Sequence, residues 1–212
     1  MREDSRFCMA TIALVLGIVF PVSYLMSQVV DPEKKEIRDE KDDAGSGSQG
    51  DNGLGCGASG DQGKPGKPGE SAQTVTDLPG WLAIAKGGKG GNGGSGGNGA
   101  AGCAPKTVDG ECRPVAGGNG GHGGHAGNGG DAYAETIDGL AKATGGDGGD
   151  GGAGGNGGNA GNGGDATTKT VSGKKDPHAG IAGTPGTGGT GGSPNGTNGS
   201  NGTSGQNGKV TS

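Results

Sequence analysis

From Gly57 to Lys209 glycine returns every third residue in five blocks, and each gap between blocks holds a turn-like segment. Gly117 to Asp131 reads G-G-N-G-G-H-G-G-H-A-G-N-G-G-D, and Gly151 to Asp165 reads G-G-A-G-G-N-G-G-N-A-G-N-G-G-D. A period of three belongs neither to the α-helix nor to the β-strand; it is the period of polyproline-II-type helices. Such a helix makes no internal hydrogen bonds, so its amides and carbonyls need neighbouring chains or water. Each phase of the repeat forms one face of a rod. In G-G-x two faces are bare and let rods approach closely, while x points outward.

The blocks run over 57–71, 87–104, 117–132, 145–166 and 180–209. Between them Thr107-Val108-Asp109-Gly110, Thr136-Ile137-Asp138-Gly139 and Thr170-Val171-Ser172-Gly173 align, and Thr74-Val75-Thr76-Asp77 with Leu78-Pro79-Gly80 is a looser fourth copy. Each joins a β-branched pair to an Asp/Ser-Gly or Pro-Gly turn signal. Gly80, Gly110, Gly139 and Gly173 recur every 29 to 34 residues, which marks an internal repeat. The reading is a repeat body over 57–209 of five rods joined by four reversals, with 210–212 as a tail.

Glycine supplies 59 of 212 residues and aromatics 2%, so the few scattered large apolar residues cannot fill an ordinary core. Composition alone reads as a disordered, low-complexity chain, the rival to a bundle. A net charge of −5 without a basic patch argues against nucleic acid. Nothing resembles a catalytic constellation, so no enzyme activity, cofactor or small-molecule substrate is expected.

Phe7 to Val30 carries no charge. As a helix it would reach about 36 Å, enough to cross a bilayer core of about 30 Å, with Pro21 as a tolerated kink. It is read as a transmembrane helix or signal-anchor (7–30) after a short cytoplasmic tail (1–6); a cleaved signal peptide is the rival. The four positives Lys34, Lys35, Arg38 and Lys41 outnumber Arg2 and Arg6, yet they lie among acids. Cysteine usage favours an extracytoplasmic body, hence a single-pass cell-membrane protein. Residues 31–56 read as a charged stalk, opened by Asp31-Pro32-Glu33 as a helix start, and a flexible Gly/Ser linker.

Gly57 to Ser71, G-A-S-G-D-Q-G-K-P-G-K-P-G-E-S, resembles a short collagen-like stretch. The G-G-x runs resemble polyglycine-II bundles such as snow-flea antifreeze proteins and the Gly-rich adhesins of phage tails, and also the glycine-rich surface proteins of mycobacteria. The resemblance covers roughly residues 57 to 209. The expected fold class is thus a non-α, non-β polyproline-II/polyglycine-II bundle behind a single N-terminal transmembrane helix, partly disordered. The expected role is a membrane-anchored, surface-exposed structural or adhesive protein, with self-association or a surface matrix as partner. Ice binding, with the Thr and Ser rows from Thr184 to Thr203 as its best face, is one alternative. A disordered extracellular tether is another.

Cys103 and Cys112 flank the turn A-P-K-T-V-D-G-E and are the disulfide candidates, leaving Cys56 free or intermolecular and Cys8 reduced. Asn119, His122, His125, Asn128 and Asp131 form one outward row. His122 and His125 lie about 9.3 Å apart on such a rod, too far to share a zinc ion, so no metal is expected. Asp131, Asp147 and Asp150 fall in G-G-x-G-x-D frames by construction of the repeat, which gives little support for calcium. Asn195, Asn198 and Asn201 each begin an N-x-[ST] sequon. Trp81-Leu82-Ala83-Ile84-Ala85 is read as an apolar cap on one end of the bundle.

Overall fold

The computed structural model describes residues 29–31, 35–102, 106–108, 111–113, 116–188 and 198–212. Eleven strands are present among them: β1 (Val29–Asp31), β2 (Glu36–Glu40), β3 (Ala72–Thr76), β4 (Leu82–Lys86), β5 (Lys106–Val108), β6 (Glu111–Arg113), β7 (Ala132–Thr136), β8 (Leu140–Thr144), β9 (Ala166–Thr170), β10 (Lys174–His178) and β11 (Val210–Thr211). Two stacked sheets result, ordered β1-β2-β4-β8-β10 and β11-β9-β7-β3, with β5-β6 as a separate hairpin. Apart from β1, which runs antiparallel to β2, all strands within each large sheet are parallel.

The expected non-β class is therefore overturned. Its failure has a clear cause in the residues that flank the turns. A-Q-T-V-T, L-A-I-A-K, A-Y-A-E-T and L-A-K-A-T alternate with a period of two, and their small members face inward. The core between the sheets is Ala72, Ala83, Ala85, Ala132, Ala134, Ala141, Ala143 and Ala166, each almost completely buried. Thr74 and Thr136 join them, their hydroxyls donating to the carbonyls of Ile84 (2.7 Å) and Trp81 (3.2 Å). Leu82, Ile84, Tyr133 and Leu140 lie on the outer sides and are only half-buried. A search for a large apolar core looks past this one, because its side chains are methyl groups. Trp81–Ala85 is likewise no cap: Leu82 to Ala85 form most of β4.

Eight glycine-rich threads prolong the strands: 41–53, 58–71, 87–101, 116–131, 145–153, 157–165, 179–188 and 198–209. Odd-numbered threads leave the first sheet and even-numbered threads enter the second. In-layer bonds join parallel threads, as Gly47 N–H to Asn92 C=O (2.7 Å), Gly63 to His122 (2.9 Å) and Gly148 to Ile181 (2.8 Å). Bonds between layers join antiparallel threads, as Gly94 to Lys64, Gly124 to Gly94 and Gly152 to Gly124. Both sets advance by three residues on each partner, the repeat of a threefold rod.

Several expectations fall here. Five rods become eight threads, because the chain also reverses near 54–57, near 154–156 and between 188 and 198. Ala44, Gly47, Gly50 and Gly53, expected in a flexible linker, all donate to the third thread. Asp31 belongs to β1 and Glu36–Glu40 to β2, so the stalk is sheet rather than the start of a helix. The collagen-like 57–71 stretch is the edge thread of the second layer rather than a strand of a triple helix. Val29 and Val30, the end of the expected membrane span, lie in β1. The rest of that span is outside the described residues, among which no helix is long and apolar enough to cross a membrane. The expected single-pass membrane placement accordingly has no support in the described structure.

Candidate functional site

Each thread has three phases, and the backbone pairing assigns a task to each. In the third thread Gly87, Gly90, Gly93 and Gly96 donate within the layer, and Gly88, Gly91, Gly94 and Gly97 donate across it. Lys89, Asn92, Ser95 and Asn98 form the third phase, which is exposed. At most inward glycines a Cβ has nowhere to go: at Gly94 it would lie 2.0 Å from the Ser48 carbonyl oxygen, at Gly127 1.9 Å from that of Lys67.

The third phase leaves one amide per turn without a backbone acceptor, and in much of both layers side chains of the neighbouring thread take it. In the second layer the amides of Asn156 and Asn159 donate to Nδ1 of His122 (2.9 Å) and His125 (3.0 Å), and those of Asn162 and Asp165 to Oδ1 of Asn128 and Asp131. The next thread repeats the arrangement. Ser200, Thr203, Gln206 and Lys209 donate to Asn156, Asn159, Asn162 and Asp165. In the first layer Lys89 donates to Asp43, Asn98 to Asn52, Asp150 to Asn92, Ile181 to Asp147 and Thr184 to Asp150. Outward Asn, Asp and His are therefore lateral hydrogen-bond acceptors.

The same bonds occupy side chains that the sequence offers as metal or calcium ligands. Accepting an N–H occupies the Nδ1 lone pair of His122 and His125. Asp131, Asp147 and Asp150 each spend an oxygen on a neighbouring amide. No group of three metal-ligating side chains occurs among the described residues. The Asp150 carboxyl is held below the usual range, first by the Thr184 amide and then by its hydroxyl. On the outer side of the second sheet Tyr133 donates to Glu135. That bond pushes the phenol up to about 12, with burial adding to it, and the same bond, with Lys169 next, lowers Glu135.

Where a layer ends, the acceptors disappear. The seventh thread presents Ile181, Thr184 and Thr187, and the eighth Ser200, Thr203, Gln206 and Lys209, with no further thread to serve. The outer amides of the seventh thread are met differently: Ala182 donates to Asn207, Gly188 to Asn201, and Pro185 has no N–H. On the opposite edge Pro65 and Pro68 remove two amides that would face solvent. Sequence reasoning reads these Asn, Asp and His as polar spacers. The signal that reveals them is the recurrence of Asn, Asp and His every third residue along threads with a following neighbour, where the last thread has Ser200, Thr203, Gln206 and Lys209.

Of the sequence-predicted disulfide pair, Cys103 lies outside the described residues. Cys112 is in β6, where Thr107 is its cross-strand partner. Cys56, expected free or intermolecular, is disulfide-bonded, which corrects that expectation. The register that ties Gly57 N–H to the Ala101 carbonyl (3.1 Å) explains how it is reached, by bringing the first reversal to the end of the third thread.

No family model matches the chain, and no curated protein matches it. A solved structure to which it is similar is the nine polyproline type II helical bundle springtail antifreeze protein from Granisotoma rainieri. The two are 26% identical over 78% of this chain and 96% of that one, with a TM-score of 0.23. A superposition that loose carries no functional argument. The site is described by its own geometry: two flat polar faces whose side chains are fixed by lateral bonds.

Proposed function

We propose that the protein is a non-catalytic structural or adhesive element, a rigid slab that holds flat polar faces in place. The observation that carries this reading is the use of the outward Asn, Asp and His as acceptors for the next thread. Groups that elsewhere act as bases, nucleophile partners or ligands are here committed to holding the threads together. The tether alternative does not suit a chain bonded laterally at every turn. A slab has a radius of gyration near 17 Å for a chain of this length, against about 50 Å unfolded, and small-angle scattering separates them. Adhesion is tested with beads coated with the full chain on cell, carbohydrate and mineral surfaces. Retention abolished by heat-unfolding the coat supports the reading; a folded coat that adheres to none removes its adhesive half.

Ice binding is the second reading, favoured by the same pinning of side chains on flat faces. Lys89, Asp147 and the histidines interrupt those faces with charge or bulk, which places it behind the first. Thermal hysteresis of the purified chain measures it, and none at millimolar concentration would eliminate it.

A further inference from the structure

We propose that the edge formed by the seventh and eighth threads is an acceptor site for N-linked glycan, at Asn198 and Asn201. After Asn92, Asn119, Asn128, Asn156, Asn159 and Asn162 on the flat faces the position two residues on is an inward glycine, with no room for a hydroxyl-bearing side chain. After Asn128 that position is Gly130, where a Cβ would lie 2.0 Å from the Glu70 carbonyl oxygen.

The eighth thread differs because its Asn phase is at the edge. Asn201 is exposed at the border between layers, Gly202 faces inward, and Thr203 is exposed on the outer face of the second layer. Asn198, Gly199 and Ser200 repeat this arrangement one turn earlier, with Asn198 and Ser200 exposed. Both groups that a glycan transferase reads, the amide and the hydroxyl two residues on, thus reach solvent together.

The amide chemistry is compatible with the fold. Asn201 uses its Oδ1 to accept the Gly188 N–H at 2.9 Å. Transfer takes place at the other atom, Nδ2. This nitrogen displaces a lipid pyrophosphate from the anomeric carbon of a lipid-linked oligosaccharide. The N–C bond forms, the C–O bond to pyrophosphate breaks, and the amide loses one proton, without change of oxidation state. The cap to Gly188 survives.

Two further observations point the same way. A disulfide-bonded Cys56 fits passage through an oxidising compartment, where such transfer occurs. The two edges of the slab are also unequally protected. The first carries exposed Lys64 and Lys67 beside Pro65 and Pro68, the usual devices against edge-to-edge pairing. Along its threads the second presents Ala182, Pro185, Asn201, Ser204 and Asn207, without charge, and its lysines Lys174 and Lys175 lie in β10. A glycan row would shield it.

The test expresses the full chain in cultured insect cells and compares intact mass before and after peptide N-glycosidase. Loss of at least two glycans is expected. Ser200→Ala and Thr203→Ala should each remove one, and Thr203→Ala should leave the melting temperature unchanged because Asn201 still caps Gly188. Lys209→Thr places a hydroxyl two residues after Asn207, which occupies the same edge phase, and should add one glycan. A chain with unmodified Asn198 and Asn201 overturns the proposal, whether it was never translocated or was translocated and passed over. So does glycan that remains after both hydroxyl substitutions at unchanged mass.

Discussion

His125 lends its neighbour an acceptor, and that function sets what can replace it. Its Nδ1 takes the Asn159 amide at 3.0 Å, as Asn128 Oδ1 takes that of Asn162 at 2.9 Å one turn on. An exposed hydrogen bond of this kind contributes about 0.5–1.5 kcal/mol net. His125→Asn should therefore retain stability in a urea titration, whereas His125→Leu should lose roughly 1 kcal/mol; equal stabilities would show the lateral bond to be dispensable. Two carboxylates, Asp150 in this network and Glu135 on the second sheet, add a pH dependence. Glu135 and Asp150 have folded-state values below their ordinary 4.5 and 3.8. Their contribution is present above those values and is lost as pH falls below them, when the folded state must take up protons it holds weakly. Thermal stability should thus drop below about pH 4.5, less steeply in Glu135→Gln. Tyr133 works in the opposite sense: with its value raised from 10.0 to about 12, its contribution holds below pH 10 and fades between the two.

At the scale of the element, glycine and asparagine in one thread have opposite tolerances although both sit in an extended chain. Gly127→Ala would drive a methyl to within 1.9 Å of the Lys67 carbonyl oxygen, so the fourth thread must part from the second. Overpacking of a close-packed contact costs about 1–3 kcal/mol. Asn128→Ala loses one exposed acceptor and costs no more than about 1 kcal/mol. Denaturant melts of the two variants should rank in that order, and an Asn128→Ala change as damaging as Gly127→Ala would contradict the assignment of phases. This contrast is also where the sequence is most legible. The three-residue period shows which faces must be bare, and the turns at 74–80, 136–139 and 170–173 can be located from Thr, Asp and Gly. The reversal near 154–156 cannot, because it is written G-G-N like the thread around it. The strands escape notice because Ala alternating with larger residues over five positions carries almost no apolar signal. The linker reading of 44–53 fails for a related reason: glycine and serine suit a flexible chain and an edge thread equally, and only the neighbour at 89–98 decides between them. The lateral acceptors escape because each bond joins residues 34 to 60 positions apart.

For the whole molecule, the long-range order rests on backbone bonds between threads, each worth little and offset by the entropy of ordering glycine. A covalent link between distant threads then has a large effect. Cys56 lies in the first reversal, between Gly55 and Gly57, which adopt positive φ (95° and 67°), conformations that suit glycine. The bond from Gly57 N–H to the Ala101 carbonyl sets this reversal against the end of the third thread, two residues before Cys103. In the β5–β6 hairpin the partner of Cys112 is Thr107, so the register does not bring Cys103 opposite Cys112. Cys103 is accordingly the expected partner of Cys56. Closing a loop of that length constrains the unfolded chain by about 4 kcal/mol on the entropy model, more than a Cys103–Cys112 link would. Peptide mapping of the non-reduced protein should find Cys56 joined to Cys103, and reduction should lower the melting temperature by roughly 8–16 °C. A Cys56–Cys112 link would show that the hairpin folds back over the first reversal. A reduced protein that melts unchanged would show that lateral bonding alone holds the slab together.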